Sequence, residues 1–347
     1  MMSFARLPRV VFMSGVAALL GSPAVPAHAV TIDWRTVGDP GNAADTTGSP
    51  SPAGAVADAF QIMKFEFTNQ QYTDFLNAVA ATDTYSLYDT TMGTGPRSGI
   101  EKSGPGPGLW RYSVRPNMGD KPVNYVNWFD AARVANWLHN GATSSSSTET
   151  GAYTLVNGQT SGLAPARNAN AKFYIPTEDQ VYKAAYYKGG STNAGYWDYA
   201  TQSDTAPTPV TSGSTGIGSA GGVLNLANYK DAADWNGQNG NVTTVGTNGG
   251  PSAYDLYDMG GNVQEWNDLT GTTNSSRGLR GGNWTDFFPE DLSSSSRNTY
   301  DPSFANDTIG FRLAASVPVP EPSTYAMALA GLACGGYSLF FRRRSDR

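Results

Sequence analysis

The chain has 347 residues, of which 15 % are charged, with a formal net charge of −6 and an isoelectric point near 5.0. No Lys/Arg cluster occurs outside the termini, which argues against nucleic acid as a partner. The single cysteine, Cys334, excludes an intrachain disulfide. The 40 glycines predict a loop-rich fold with short regular elements.

The N-terminus has the layout of a secretory signal. Arg6 and Arg9 precede an apolar run over residues 10–20, and the chain then reads Pro-Ala-His-Ala up to Ala29. This order predicts a signal peptide over residues 1–29, cleaved after Ala29. A buried N-terminal helix is the alternative, but glycines and prolines interrupt it. Residues 30–59 are interpreted as an irregular lead-in to the main domain.

Three amphipathic helices are predicted in the exported part. Thr68 begins the first in a capping box with Gln71, Asn127 is the N-cap of the second, and Thr177 opens the third with Gln180. Apolar residues then recur at helical spacing. The predicted buried positions are Tyr72, Phe75, Leu76 and Val79 in the first helix, and Trp128, Ala131, Ala132, Ala135 and Leu138 in the second.

Aromatic residues in or beside the loops suggest a binding surface. Tyr196 and Trp197 are the leading candidates. Four other aromatic residues lie in similar loop contexts: Trp110, Tyr186, Tyr187 and Tyr199. Rings among amide and hydroxyl neighbours suit stacking on sugars or clamping a peptide. The alternative is that these rings cover a large core.

The C-terminal residues 316–347 combine three signals. Pro320, Glu321 and Pro322 form an extended segment, residues 323–341 are uncharged and of membrane length, and Arg342 begins a basic stop. The alternative is a permanent anchor. The tail resembles a PEP-CTERM signal, which implies an exosortase as partner. It also implies transient inner-membrane anchoring and delivery to the outer surface or extracellular matrix of a Gram-negative bacterium.

Six sequence blocks occur in order at residues 67–76, 121–132, 174–185, 254–266, 279–284 and 309–313. Through these blocks, residues 60–315 resemble the formylglycine-generating-enzyme, or sulfatase-modifying-factor, domain family. It implies an irregular, C-type-lectin-like α+β fold with little regular secondary structure. Within the blocks, Trp128, Trp137, Trp266 and Trp284 are predicted core residues, and Gly281-Gly282 is predicted to lie in a strand.

The residues that make family members catalytic are absent. Two cysteines after the Arg-Gly-Gly segment hold copper(I) in the catalytic members, whereas Asp286 and Asp291 stand at or near those positions here. Carboxylates do not select copper(I), so no copper is expected and no catalytic residue is assigned. A related class uses three histidines around iron, but only His139 remains after the signal peptide is removed.

The resemblance also implies calcium as a cofactor. Asp258, Gly261, Val263 and Glu265 match one ligand set, and Asn228 and Tyr229 match part of a second, weaker one. The alternative is a tight glycine turn in which Glu265 pairs with an arginine. Arg280 and Arg312 are predicted to be paired and partly buried, with Glu265 or Asp258 as candidate partners.

These observations favour an exported, non-catalytic, calcium-stabilised domain that binds exopolysaccharide or another surface protein. A divergent metal-dependent oxidase or modifying enzyme at Asp286 and Asp291 is the enzymatic alternative. A structural matrix protein without a discrete ligand is the third interpretation.

Overall fold

The computed structural model describes residues 30–317. Ala29 of the predicted signal peptide, the predicted sorting residues Pro320, Glu321 and Pro322, and the predicted span 323–341 lie outside the described residues. Within residues 30–317, no helix combines the length and apolar character needed to cross a membrane.

Regular structure is sparse and divided among short elements joined by long loops, which confirms the irregular α+β prediction. The helices are α1 (Asn69–Val79), α2 (Thr91–Thr94), α3 (Trp128–His139) and α4 (Glu178–Tyr186). The strands are β1 (Trp34–Val37), β2 (Phe60–Met63), β3 (Ile100–Ser103), β4 (Arg111–Val114), β5 (Phe173–Tyr174), β6 (Thr208–Pro209), β7 (Leu226–Ala227), β8 (Gln264–Asn267), β9 (Arg277–Arg280), β10 (Asn298–Tyr300), β11 (Ile309–Gly310) and β12 (Ala314–Ser316).

Two four-stranded sheets organise the domain. The first has the order β1-β2-β12-β5 and is antiparallel, with Ala314 opposite both Ile62 and Tyr174. The second has the order β10-β9-β8-β11, with Glu265 opposite Arg280 in its antiparallel centre and β11 parallel to β8. Strands β3-β4 and β6-β7 form two smaller sheets. The first sheet therefore joins the start of the described chain to its end.

The stretch 30–59 is part of this fold rather than the irregular lead-in that the sequence predicted. It contributes β1, in which Val37 is fully buried. Farther along, the Asn42 side chain donates to the Gly54 carbonyl at 2.8 Å, and Lys183 of α4 donates to the Asp39 carbonyl at 2.8 Å. A four-residue strand is too short for its alternation to be recognised in sequence, because its stability comes from pairing with β2.

The three predicted helix starts are confirmed. Thr68, Asn127 and Thr177 each have extended backbone angles, and each side chain accepts a hydrogen bond from the backbone N–H three residues later. In return, the third residue of each helix accepts from the cap N–H. Two N–H groups that the helix cannot satisfy internally are thus paired at each start.

Asn127→Ala is expected to lower the free energy of unfolding by about 1 kcal/mol, because the Asp130 N–H loses its acceptor. Asn127→Ser keeps an acceptor oxygen and serves as the control, with an expected loss smaller by about half. Urea unfolding of the two variants checks this. Equal losses in both would show that the Asn127 side chain matters for packing rather than for capping.

The predicted core tryptophans are buried. Trp128 packs edge-on against Tyr153 with ring centroids 5.1 Å apart, and Trp266 donates from its indole nitrogen to the Val126 carbonyl at 3.1 Å. Trp137 lies in the same large core, and Trp284 in a smaller cluster with Trp235. Arg277 of β9 lies over the Trp128 ring of α3, 4.6 Å from its centroid, and the loops that carry the candidate site extend from the second sheet.

Candidate functional site

A glycine-rich turn leads into β8 and carries the first predicted calcium set. Asp258 and Gly261 have φ angles of 55° and 84°. A Cβ on Gly261 would lie 2.5 Å from the Asn228 carbonyl oxygen, so glycine is required for this close approach. The turn therefore places Asp258, Val263 and Glu265, all buried, beside the 228 segment.

Glu265 is paired with Arg312, as predicted. The Nε and Nη2 groups of Arg312 donate to the two carboxylate oxygens at 2.6 Å each. Arg312 is fully buried, and its Nη2 also donates to the Tyr257 carbonyl at 2.9 Å. This bidentate geometry is the strong form of an arginine–carboxylate pair.

The same prediction is wrong for Arg280. This residue pairs with Glu178 at the start of α4 and donates to the carbonyls of Ser294 and Ser296 at 3.0 and 2.7 Å. Glu265 lies opposite Arg280 in the ladder, but Arg312 already occupies both of its oxygens. Arg280 therefore joins α4 to the loop after β9.

Asp258 forms hydrogen bonds with the neighbouring 246–248 loop. Its two carboxylate oxygens accept hydrogen bonds from the Gly246 N–H and from the Asn248 side chain, the latter at 2.8 Å. Burial raises the pKa of Asp258, and these bonds and Arg312 oppose the rise. The carboxylate thus holds the 246–248 backbone in one position.

Glu66, just before α1, is a third buried carboxylate that the sequence prediction missed. It accepts from the Asn262 side chain at 2.9 Å and from the Val263 N–H at 3.3 Å. Burial, followed by the charges of Asp258 and Glu265, raises its pKa well above the usual value. Three carboxylates and one guanidinium would carry a charge of −2 when all are ionised, so a proton or a cation is needed for balance.

The second predicted calcium residue, Asn228, contacts the first set through Asn262. The Asn228 side-chain nitrogen donates to Asn262 Oδ1 at 3.1 Å and to the Asn241 carbonyl at 2.9 Å. Its Oδ1 is buried without a hydrogen-bond partner among the described residues. The Tyr229 hydroxyl donates to the Pro207 carbonyl at 2.6 Å and so fixes the adjacent loop.

Asp286 and Asp291 are brought close together by the loop after β9. Contrary to prediction, Gly281 and Gly282 follow this strand rather than lie in it, with φ angles of 98° and 69°. A Cβ on Gly282 would lie 3.0 Å from the Asp291 carbonyl oxygen. Asp286 accepts from the N–H and side chain of Asn283 at 2.8 and 2.9 Å. Burial, with a contribution from Asp291, raises the pKa of Asp286 to about 6.

Asp286→Asn is expected to raise the melting temperature at pH 7.5 and to leave it unchanged near pH 3.5. The folded pKa lies above the unfolded value of 3.8, so the stability that the protonated group contributes is lost as pH rises from about 4 through about 6. Thermal unfolding across this range checks the prediction. A difference between the proteins that does not vary with pH would contradict it.

The same loop exposes two adjacent aromatic residues that the sequence prediction missed. Phe287 and Phe288 are 61 % and 62 % exposed, and their rings meet edge to face with centroids 5.3 Å apart. Lys230 Nζ lies 5.1 Å from the Phe287 ring centroid. The sequence signal for them was that they directly follow Asp286, which stands where catalytic family members have a cysteine. The sequence does not show, however, whether an aromatic residue in this loop is buried or exposed.

Most contacts of the aromatic residues singled out from the sequence are with other parts of the domain. The Tyr196 hydroxyl donates to the Ala43 carbonyl at 2.8 Å and so links α4's following loop to residues near the N-terminus. Lys188 Nζ lies 4.1 Å from the Trp197 ring centroid. Tyr186 and Tyr187 are fully buried. Tyr196 and Trp197 are both partly exposed.

The chain is a mainly irregular α+β domain with buried carboxylates beneath its loops and a thiol-free segment after β9. Residues 29–317 match the family model of the sulfatase-modifying factor enzyme 1-like domain, and the chain therefore belongs to this family. Residues 318–344 match the PEP-CTERM protein-sorting motif. The protein is accordingly exported to the surface of a Gram-negative bacterium, with sorting by an exosortase.

Two solved structures share the fold. The crystal structure of CarF is 23 % identical with a TM-score of 0.51, and the match covers 84 % of this chain and 100 % of that chain. Treponema denticola variable protein 1 is 20 % identical with a TM-score of 0.50, covering 84 % of this chain and 98 % of that chain. A comparison with curated proteins finds no match.

Proposed function

We propose that the exported domain is a non-catalytic, calcium-stabilised module that binds a glycan or protein ligand at the cell surface or in the extracellular matrix. The observation that carries this proposal is the exposed pair Phe287–Phe288 in the segment where catalytic relatives hold their cysteines. The remaining support comes from the chemistry of the buried oxygens and from the sorting motif.

The phenylalanine pair has the properties of a binding anchor. Asn283 bonds to Asp286 immediately before the rings, and the turn Pro289–Leu292 follows them, with Leu292 buried. The rings are therefore exposed on a loop that is fixed at both ends. Exposed aromatic anchors in a rigid setting contribute much of the affinity for sugars and for proteins, because little conformational entropy is lost on binding.

The non-catalytic assignment rests on residue chemistry. The sequence has no cysteine before Cys334, and copper(I) is selected by thiolates. His139 Nδ1 accepts a hydrogen bond from the Lys172 N–H at 3.1 Å, so the one histidine of the described chain has a structural contact. The domain therefore lacks the thiolate ligands with which catalytic family members bind copper for the oxidation of a cysteine substrate.

Calcium binding is supported by the donor set and by the charge balance. Glu66, Asp258 and Glu265 offer only oxygen, which calcium prefers, and a bound cation would balance the excess negative charge that these carboxylates would carry beside Arg312 if all three were ionised. The unpartnered Oδ1 of Asn228 is an additional available oxygen. Because Asp258 and Glu265 already accept N–H donors, the Asn228 side of the network offers the freer ligand. Among residues 30–317, no group of three or more His, Cys, Asp or Glu side chains is arranged to hold a metal, so backbone and amide oxygens are required.

The binding function is tested with Phe287→Ser/Phe288→Ser and a matched control, Val156→Ser/Leu163→Ser, whose side chains are 62 % and 58 % exposed. The probe is extracellular matrix isolated from the producing bacterium, on which retention of each protein is titrated. The phenylalanine variant is expected to bind at least about fivefold more weakly, and the control within about twofold of wild type. Equal retention of both variants, or no retention of wild type, would refute the proposal.

A metal-dependent modifying enzyme is the second candidate, favoured by one observation. Asp286 and Asp291 lie near the surface, and the pKa of Asp286 is raised to about 6, as in sites that exchange protons near neutral pH. A tightly bound redox metal that is lost in Asp286→Ala would support this candidate over the binding module.

A further inference from the structure

A cleft of about 340 Å³ lies between two glycine-rich loops, and its lining includes none of the residues proposed above to bind a ligand. Its walls are the 218–224 and 246–251 loops, and Tyr257 also contributes to its lining. The volume is at the lower end of the range for small-ligand sites, about 300–1,000 Å³. We propose that this cleft binds a neutral saccharide, which is a second site beyond the proposed function.

The walls are held in place by hydrogen bonds. The Gly250 N–H donates to the Leu224 carbonyl at 2.6 Å, and the Gly218 N–H donates to the Thr247 hydroxyl at 2.8 Å, so the two loops are linked to each other. Asp258 fixes the 246–248 wall from beneath through Gly246 and Asn248. A cleft whose walls are linked in this way is pre-organised for a ligand.

Glycines make up much of the walls, and several of them, including Gly218 and Gly249, leave no room for a Cβ. A Cβ on Gly249 would lie 2.1 Å from the Leu226 carbonyl oxygen, and one on Gly250 would lie 3.0 Å from Leu224. In contrast, nothing lies within 4 Å of a Cβ on Gly222. The walls consequently consist largely of backbone. The Gly218, Gly246 and Gly250 N–H groups are already bonded within the protein, so the groups offered to hydroxyls of a ligand are chiefly carbonyl oxygens, each of which can accept a second hydrogen bond.

The lining is uncharged. Its side chains beyond glycine and alanine are Leu224, Thr247, Pro251 and Tyr257. Lys64 lies near the Tyr257 ring, 5.2 Å from Nζ to the centroid, but it pairs with Asp255 at 3.3 Å. An acidic polymer would find no cation in the lining. A sugar ring matches this composition, because its C–H face packs on an aromatic or aliphatic side chain while its hydroxyls meet polar groups.

An extended peptide fits the cleft less well. None of its lining residues lies in a strand, so the cleft lacks a sheet edge to which a peptide strand can be added. Side-chain pockets are also missing where the walls are glycine. The neutral saccharide is therefore the occupant that the lining favours.

The test measures binding of cellohexaose, maltohexaose, dextran and, as the charged probe, polygalacturonate to the full chain purified from the membrane fraction of an expressing host. Leu224→Asp changes a side chain that is 62 % exposed, and Leu163→Asp is the matched control at 58 % exposure. We expect a neutral probe to bind wild type and the control alike, and to bind Leu224→Asp at least about tenfold more weakly. Tyr257→Leu is expected to weaken binding in the same direction.

The other outcomes separate this proposal from the function proposed above. Saccharide binding that Leu224→Asp leaves intact but Phe287→Ser/Phe288→Ser abolishes would overturn the cleft site and retain the binding module. Binding of polygalacturonate alone, or of none of the four probes, would also overturn the cleft proposal. Matrix retention lost in the phenylalanine variant, with neutral-probe binding unchanged, would support two separate sites.

Discussion

Arg312→Met is expected to lower the free energy of unfolding by ~3–5 kcal/mol. The variant leaves Glu265 buried without its bidentate partner and removes the one guanidinium beside Glu66 and Asp258. Met fills a similar volume, so the loss reports charge and hydrogen bonding rather than a cavity. Urea unfolding at pH 7.5 measures it.

Two further variants separate these contributions. Arg111→Met removes an exposed arginine on β4 and is expected to change stability by less than about 0.5 kcal/mol. Arg312→Met/Glu265→Gln removes the uncompensated charge and is expected to recover ~1 kcal/mol or more relative to Arg312→Met. A double variant no more stable than the single one would contradict the charge explanation.

Arg277→Met is expected to lower the free energy of unfolding by ~3 kcal/mol at pH 8.5 and by only ~1–2 kcal/mol at pH 5. Arg277 and Asp268 form a fully buried pair, with Nε 2.8 Å from Oδ1, and burial raises the pKa of Asp268 to about 7. Below pH 7 the folded protein keeps Asp268 protonated, so little charge attraction is lost with Arg277. What remains at pH 5 is the loss of its bonds to the carbonyls of Ala164 and Pro165, at 3.2 and 2.9 Å.

The direction of this pH dependence follows from the difference between the pKa of Asp268 in the folded state and in the unfolded state. The unfolded Asp268 ionises near 3.8, so the protonated carboxyl stabilises the fold below that pH, and this contribution is lost as pH rises through about 7. Arg277 opposes that loss by favouring the ionised form. In an Asp268→Asn background, removal of Arg277 is expected to have the same effect at both pH values. A loss in Arg277→Met that is equal at pH 5 and pH 8.5 would show that Asp268 does not titrate in this range.

Local structure was predictable where neighbouring residues determine it. The cap residues Thr68, Asn127 and Thr177 act within one helical turn, so their sequence spacing is sufficient to locate the helix starts. A buried carboxylate partner for Arg312 was also predicted, with Glu265 or Asp258 as candidates, because the arginine lies in an apolar, strand-like context; the structure selects Glu265. The family resemblance, rather than periodicity, supplied the fold class.

Contacts between distant segments were not predictable in the same way. Glu66 meets Asn262 across 196 positions of chain, and nothing in the sequence near either residue indicates the contact. The partner of Arg280 depends on where α4 packs, since Glu178 begins that helix. Phe287 and Phe288 were not singled out from the sequence, and only the position of their loop exposes them.

The most direct test of the central claim is elemental analysis of the purified protein by mass spectrometry after dialysis against metal-free buffer. We expect about one calcium ion or more per chain, with neither copper nor iron, and a lower melting temperature after chelation. This metal content and this change in melting temperature are what a calcium-stabilised domain would show. Tightly held copper, iron or manganese, or a protein free of calcium, would contradict the account and direct attention to Asp286 and Asp291.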